Sequence, residues 1–498
     1  MWLNNIETHW QSWPRFARVA LAILCGVVAS LGQAPFGMPL VSLAGFVAGF
    51  ALLTFSQSPS KAFRTGWQFG LGYFALTMQW LVSPFLVEAE SHAWMAPFAV
   101  FFMAAGLALF WGAAFAVARR INTFALVVTL PLMELLRAYL FSGFPWGMPA
   151  YGTVDRVLGQ GAAYVGSHGL NLVFLFIAAC TFFAVRGGSR RVLASAGAVL
   201  GLALLWPLPD APAVPEPGMG TIRLIQPNAP QHQKWDPDFM PIIFDRALAL
   251  TASEGSPDLI VWPETSLPSI LSRGEPSIQE ISKAAGDAPV FFGANRLENL
   301  MFFNAAVLMD GQGVLGQTYD KHHLVPFGEY IPFGELLSRF GIHGMAASQG
   351  QGFTPGSGPK LIDLGPLGRA LPLICYEAVF PQDVSAAPER PDFLLQITND
   401  AWFGTFSGPH QHLVQSRMRS IEHGLPMVRA ANTGISALID EKGRVLKALP
   451  LNEAGFLDVE LPKPAPATLY SNTGDLPIGL ILTCALLGLW IRRHRNSN

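Results

Sequence analysis

The hydrophobic positions of this chain fall into two textures. As far as residue 207 they run almost unbroken, near 16–33, 37–56, 67–87, 94–118, 122–141, 163–186 and 191–207, and one further run closes the chain at 475–491. An α-helix needs roughly 20 apolar residues to cross a bilayer, so these runs predict eight spans, with 191–207 the shortest. Between residues 208 and 474 the pattern changes to short β-branched runs broken by turn residues. Strands are predicted at 221–226, 259–262, 290–292, 305–309, 371–374, 393–397, 428–431 and 436–440, and helices at 239–252, 278–285 and 410–423. Strands that alternate with helices indicate an α/β domain. The expected organisation is a seven-span bundle at 1–207, an α/β domain at 208–474 entered through a Pro- and Ala-rich linker at 207–220, and a closing span with a basic tail at 475–498.

Composition agrees with a bilayer. The chain is 51% hydrophobic and 13% charged, against about 25% charged for ordinary soluble domains. The charges are unevenly spread: residues 208–475 hold 29 of the 34 acidic side chains and 18 of the 32 basic ones. An acidic domain of this kind excludes nucleic acid as a partner. The basic residues cluster at alternate ends of the apolar runs: Arg15 and Arg18, Lys61 and Arg64, Arg119 and Arg120, Arg186 with Arg190 and Arg191, and Arg492, Arg493 and Arg495. The opposite loops carry Glu88, Glu90 and Asp155, with Arg156 the exception. Basic loops stay in the cytoplasm, so both termini are expected there and 208–474 on the outer face. Inside the fifth run Glu134 and Arg137 share a helix face. Charges at that depth are costly, and the pair reads either as a structural lock between helices or as a lipid-headgroup contact.

Candidate chemistry sits in the polar domain. Glu264 ends the string Leu259-Ile-Val-Trp-Pro-Glu, Lys321 lies in Tyr319-Asp-Lys-His-His-Leu-Val-Pro-Phe-Gly-Glu329, and Cys375 ends Leu371-Pro-Leu-Ile-Cys, ahead of Tyr376 and Glu377. Of the four cysteines only Cys375 lies in this domain, so the domain holds no internal disulfide. Taken singly, these are a surface carboxylate, a solvated lysine and a packed thiol. Taken together they supply a nucleophile, a base to deprotonate a thiol whose ordinary pKa is near 8.5, and a cation for the oxyanion of a tetrahedral intermediate, with the backbone N–H of Tyr376 as a second donor. The histidines His322, His323, His410 and His412 are weak evidence of a metal site, and the chemistry needs none.

In order, spacing and local context these three strings resemble the signature of the nitrilase superfamily. The whole chain, with its seven spans, catalytic domain and closing span, resembles the apolipoprotein N-acyltransferase family. The strings Phe141-Ser-Gly-Phe-Pro-Trp-Gly147, Gln226-Pro-Asn228, Lys234-Trp-Asp-Pro237, Asn399-Asp-Ala-Trp-Phe-Gly404 and Arg429-Ala-Ala-Asn-Thr-Gly434 add to that likeness. The resemblance implies a helical membrane bundle joined to a nitrilase-like α/β domain, an αββα sandwich. It implies a Glu264, Lys321 and Cys375 triad, with Trp235, Glu329, Tyr376 and Glu377 supporting it or binding substrate. It further implies an acyl chain taken from the sn-1 position of a phospholipid, typically phosphatidylethanolamine, onto Cys375. The chain then passes to the α-amino group of a diacylated apolipoprotein, without cofactor, at a bacterial inner membrane, where a monomer suffices. One of Glu329 and Glu377 is expected to pair with Lys321. The apolar stretch 327–340 is read as an arm over the membrane, with Phe333, Leu336 and Phe340 as its lipid-facing positions. Three other readings remain: a membrane-tethered amidohydrolase, which shares the triad, and a transporter with an outer binding domain or a purely structural scaffold, both of which leave the triad unexplained.

Overall fold

The computed structural model describes residues 10, 12–186, 191–211, 218–272, 275–332 and 352–495. Phe333, Leu336 and Phe340 of the expected arm lie outside these residues. Contacts divide the chain into two compact units: Met1–Pro209 with Phe406–Val414 and Thr468–Asn498, and Asp210–Thr405 with Gln415–Ala467.

The first unit is helical. Its principal helices are α1 (Arg15–Ser30), α2 (Pro39–Phe55), α3 (Pro59–Thr77), α4 (Ala96–Ile121), α5 (Leu126–Tyr139), α6 (Ala162–Val185) and α7 (Arg191–Leu205), with a closing helix at Leu476–Arg495. Every predicted apolar run holds a helix. Three segments are long and apolar enough to cross a membrane on length and composition alone: Ala89–Ile121, Val157–Val185 and Leu476–Arg495. Pro39–Phe55 is apolar but shorter. The helix expected at 67–87 is displaced. It begins at Pro59, because the Ser58 side chain accepts from the Lys61 N–H and proline occupies the first turn, a favoured start. It ends at Thr77, and the remainder of the run is a 3-10 turn and the four-residue helix Val82–Phe85, which contains Pro84. Lys61 and Arg64 therefore lie within the first two turns of α3 instead of in a loop.

Glycine lets α1 and α3 approach backbone to backbone. A Cβ on Gly26 would lie 1.9 Å from the Phe69 carbonyl oxygen, and one on Gly72 would lie 2.0 Å from that of Ile23. Small residues at such crossings replace the hydrophobic drive that lipid does not supply. The Glu134–Arg137 pair is a lock. Glu134 is fully buried and Arg137 nearly so. The guanidinium donates to both Glu134 oxygens, at 3.1 and 2.5 Å, to Trp146 O at 2.9 Å and to Phe144 O, while Trp111 Nε1 donates to Glu134 Oε1 at 2.7 Å. With those bonds made inside the unit, the headgroup-contact reading falls.

The second unit is a sandwich of two sheets. One runs β13-β1-β2-β4-β5-β6, where β1 is Thr221–Gln226, β2 Leu259–Val261, β4 Val290–Glu298, β5 Met301–Met309, β6 Leu315–Asp320 and β13 Gly455–Glu460; the two-residue β3 (Ile270–Leu271) pairs with β4. The other runs β12-β11-β10-β9-β8-β7, where β7 is Ile362–Asp363, β8 Arg369–Ile374, β9 Phe393–Thr398, β10 Met427–Ala431, β11 Ala437–Ile439 and β12 Val445–Ala448. Successive side chains on a strand face opposite ways, and here both ways lead into a core. Ile222, Leu224, Leu259, Val261 and Phe291 of the first sheet meet Phe393, Leu395, Ile397, Val428 and Ala430 of the second. Ile225, Ile260, Trp262, Val290 and Phe292 pack the other way, with Phe244 of helix α8 (Met240–Thr251) and Ile278 and Ile281 of helix α9 (Pro276–Ala285). Strands β1, β2 and β4 are parallel, as are β8, β9 and β10, and strands buried on both faces read as continuous apolar runs. Reactive groups in such sheets gather at strand C-termini: Glu264 follows β2, Cys375 follows β8 and Asn399 follows β9.

Candidate active site

Cys375, the first residue after β8, has φ +51°. A non-glycine residue held there stores of order 1–3 kcal/mol of strain and marks functional turns. The strain is held by Glu377, which is fully buried. Its Oε2 accepts from Ile374 N at 2.7 Å, and its Oε1 accepts from His322 N at 2.8 Å and Tyr319 Oη at 2.9 Å. One carboxylate thus ties the nucleophile's turn to the loop that carries Lys321. His322 backs it, with Nδ1 2.6 Å from Glu377 Oε1 and Nε2 3.7 Å from Asp383 Oδ2. Burial alone would push the His322 imidazolium down, but Asp383 and Glu377 outweigh it and raise its pKa to about 10. His323 Nδ1 also bonds Asp383 Oδ2, at 2.8 Å. The histidines of this loop therefore serve carboxylates, and among the described residues no group of three or more side chains could hold a metal ion.

Lys321 is buried, with Nζ 2.8 Å from Glu329 Oε1 and 3.5 Å from Glu264 Oε1. Burial would lower its pKa, but Glu329, Glu264 and Cys375 together hold it well above the ordinary lysine value, so the ammonium stays charged at working pH. Glu329 is the expected partner; Glu377 is not, since it faces the turn behind the thiol. Glu264 Oε1 accepts from Asn304 Nδ2 at 2.7 Å and its Oε2 from Asn399 N at 2.8 Å. Asn304 Nδ2 also reaches Glu329 Oε1 at 3.1 Å, and Val325 N donates to Glu329 Oε2 at 2.8 Å. Burial, then Glu264, pushes the Cys375 thiol well up, against the opposing pull of Lys321. Cys375 is a buried thiol with a carboxylate in its field, an arrangement that suits general-base activation.

Glu264, Lys321, Glu329 and Cys375 come together as the motifs suggested. Tyr376 is buried and packs edge-on against Phe380 and His323. Trp235 is 43% exposed, with its ring centroid 5.6 Å from the Lys234 ammonium, which in turn donates to the Glu264 carbonyl oxygen. Sequence reasoning missed Asn304, a lone amide in the apolar string of β5, and Asn399 and Lys234, which stand in motifs already noticed but carried no assigned role.

A buried thiol, carboxylate and ammonium at the ends of a two-sheet α/β sandwich define a thiol-dependent enzyme of the carbon–nitrogen hydrolase type. Residues 221–465 match the family model described as carbon-nitrogen hydrolase, and residues 25–180 match that of the apolipoprotein N-acyltransferase N-terminal domain. Curated relatives carry both parts. The apolipoprotein N-acyltransferase of Rhodopseudomonas palustris is 34% identical over 96% of this chain and 95% of that protein. Those of Rhizobium meliloti and Sinorhizobium fredii are 36% and 37% identical, over 96% and 90% of this chain and 97% and 91% of theirs. The chain belongs to the apolipoprotein N-acyltransferase family. Among solved structures, an amidase from Nesterenkonia sp. aligns at 20% identity over 54% of this chain and 98% of its own, with a TM-score of 0.36, a likeness too slight to add to the fold described above.

Proposed function

We propose that this enzyme moves the sn-1 acyl chain of a phospholipid, phosphatidylethanolamine in the typical case, through a thioester on Cys375 to the α-amino group of the S-diacylglyceryl cysteine of an apolipoprotein. The observation that carries the reading is Lys321 held between two carboxylates beside a strained, buried thiol. In the first half, Glu264 takes the Sγ–H proton and the sulfur attacks the ester carbonyl. The C–S bond forms, and the oxyanion rests on the Lys321 ammonium and the Tyr376 N–H. The glycerol C–O bond then breaks and Glu264 returns its proton to the departing lysophospholipid. In the second half the amine attacks the thioester, Glu264 takes the N–H proton, the C–N bond forms, the C–S bond breaks, and the thiolate recovers the proton. Thioester to amide runs downhill, so neither ATP nor a cofactor enters.

Both substrates are anchored by acyl chains, which suits a membrane enzyme. Each of the eight predicted runs holds a helix, the third displaced to Pro59–Thr77, and the basic residues cluster at alternate ends of the runs, as the positive-inside rule requires. That supports eight spans in a bacterial inner membrane, with 208–474 periplasmic and both termini cytoplasmic; the proposed chemistry needs no second subunit. The test is purified enzyme given phospholipid and a diacylated lipopeptide. One N-acylated lipopeptide should form for each lysophospholipid released. Release of free fatty acid in place of the acylated peptide would make it a hydrolase.

A further inference from the structure

The site contains two carboxylates, Glu264 and Glu329, bridged by Asn304 Nδ2 and sharing one cation, Lys321. Two carboxylates that share one ammonium leave the cluster a positive charge short. A second lysine reaches Glu264 through its backbone. Lys234 is 7% exposed. Its Nζ donates to Glu264 O at 3.1 Å and to Thr265 Oγ1 at 2.6 Å, and lies 5.6 Å from the Trp235 ring centroid. Thr265 has φ +47°, a conformation foreign to β-branched residues, and the lysine bonds on both sides of that peptide. Among the described residues no carboxylate lies within ion-pair distance of Nζ. A buried ammonium is costly unless it is paired, yet this one spends two of its three donors on neutral oxygens.

We propose that Lys234 is the second cation of the active site, a positioning residue that fixes the strained Glu264–Thr265 turn and adds a positive charge beside the two carboxylates. The role rests on the reading of Glu264 as the base. The charged groups in the lysine's field are Glu264 and Cys375, and Lys321 meets Glu264 at its carboxylate, 3.5 Å from Oε1. Burial lowers the Lys234 pKa to about 8, against the opposing pull of Glu264 and Cys375. Lys321 and Cys375 are both held well above their ordinary values. The group that loses its charge first as the medium turns alkaline is therefore Lys234, and with it goes the support for the base.

The test measures the rate of Cys375 acylation by phospholipid, by intact mass, from pH 6 to 10. The wild type should lose rate near pH 8. Lys234→Arg, charged throughout, should keep activity and carry that limb upward by more than one pH unit. Lys234→Met should lose at least tenfold at neutral pH and show no limb there. A Lys234→Arg enzyme with the wild-type limb overturns the proposal, because a lysine that merely tied the loop would leave the profile unmoved. A second measurement needs no variant: pulse acetylation of the wild-type amines, read peptide by peptide. Lys234 should reach half its limiting reactivity near pH 8, well below the ordinary lysine value of about 10.4. Ordinary behaviour at Lys234 overturns the proposal as well. A wild type that forms no acyl adduct at all counts against the acyl-transfer reading, and the amine titration still decides on Lys234.

Discussion

The helical unit and the sandwich unit both bury charge, and they treat it in opposite ways. In the helical unit Arg137 meets one carboxylate, two carbonyls and, through that carboxylate, the Trp111 indole. Everything is paired, and the result is a lock. In the sandwich unit Lys321 stands between two carboxylates, Lys234 has neutral partners only, and Cys375 keeps its proton in a strained turn. Full satisfaction makes a buried ion pair structural. Incomplete satisfaction, held in place by Glu377 and Asn304, is what the proposed mechanism requires, because it leaves charge for a transition state. The difference lies in what the partners leave over, since both sets of groups are buried.

That contrast can be broken from either side. The largest effect belongs to Cys375→Ala, which should abolish lysophospholipid release, a fall on the order of 10⁶-fold as in other nucleophile knock-outs, with the fold intact by circular dichroism. Glu264→Gln should cost about 10²–10⁴-fold, the usual share of a general base. Lys321→Met should cost about 10²–10³-fold, the share of an oxyanion donor. Glu329→Gln should lose most acylation while leaving the unfolding temperature near that of the wild type; retained turnover would remove Glu329 from the site. The helical lock should answer the other way. Glu134→Gln strands a buried guanidinium and should cost about 3–5 kcal/mol of stability, read by thermal unfolding in detergent, while turnover per folded molecule stays unchanged.

The smallest effect is a pH dependence behind the nucleophile. The His322 pKa is raised to about 10 from an unfolded value of about 6.5. Its stabilisation is therefore complete below about pH 6.5 and is lost as pH rises through about 10. His322→Gln should destabilise the enzyme most near pH 6, and the gap to wild type should close toward pH 10. A gap that widened with pH would remove His322 from the support of Glu377.

What could be read from the sequence follows burial. The strands between the sheet edges, β1, β2, β4, β5, β8, β9, β10 and β11, were all visible as apolar runs because most of their side chains enter a core. The four strands at the edges, β6, β7, β12 and β13, went unseen. Their sequences, such as Leu315-Gly-Gln-Thr-Tyr-Asp320 and Val445-Leu-Lys-Ala448, are half solvent-facing and carry no continuous pattern. In the bundle the runs located the helices, but polar caps moved their ends, as Ser58 does for α3. The triad and the Glu329 partner were legible because motif strings carried them. Asn304 and Lys234 were not, since a single amide or lysine shows its partners only when the chain is folded. Glu377 was noticed, but its task of holding the Cys375 turn depends on a backbone angle that no spacing reveals.

The account stands on a fatty acyl group reaching one sulfur. Wild-type enzyme mixed with phospholipid, quenched in acid, digested and sequenced by tandem mass spectrometry should show a hydroxylamine-labile acyl mass on the peptide that contains Cys375. That mass should vanish when a diacylated lipopeptide is added before the quench. An unmodified Cys375 peptide in an enzyme that is turning over would contradict it.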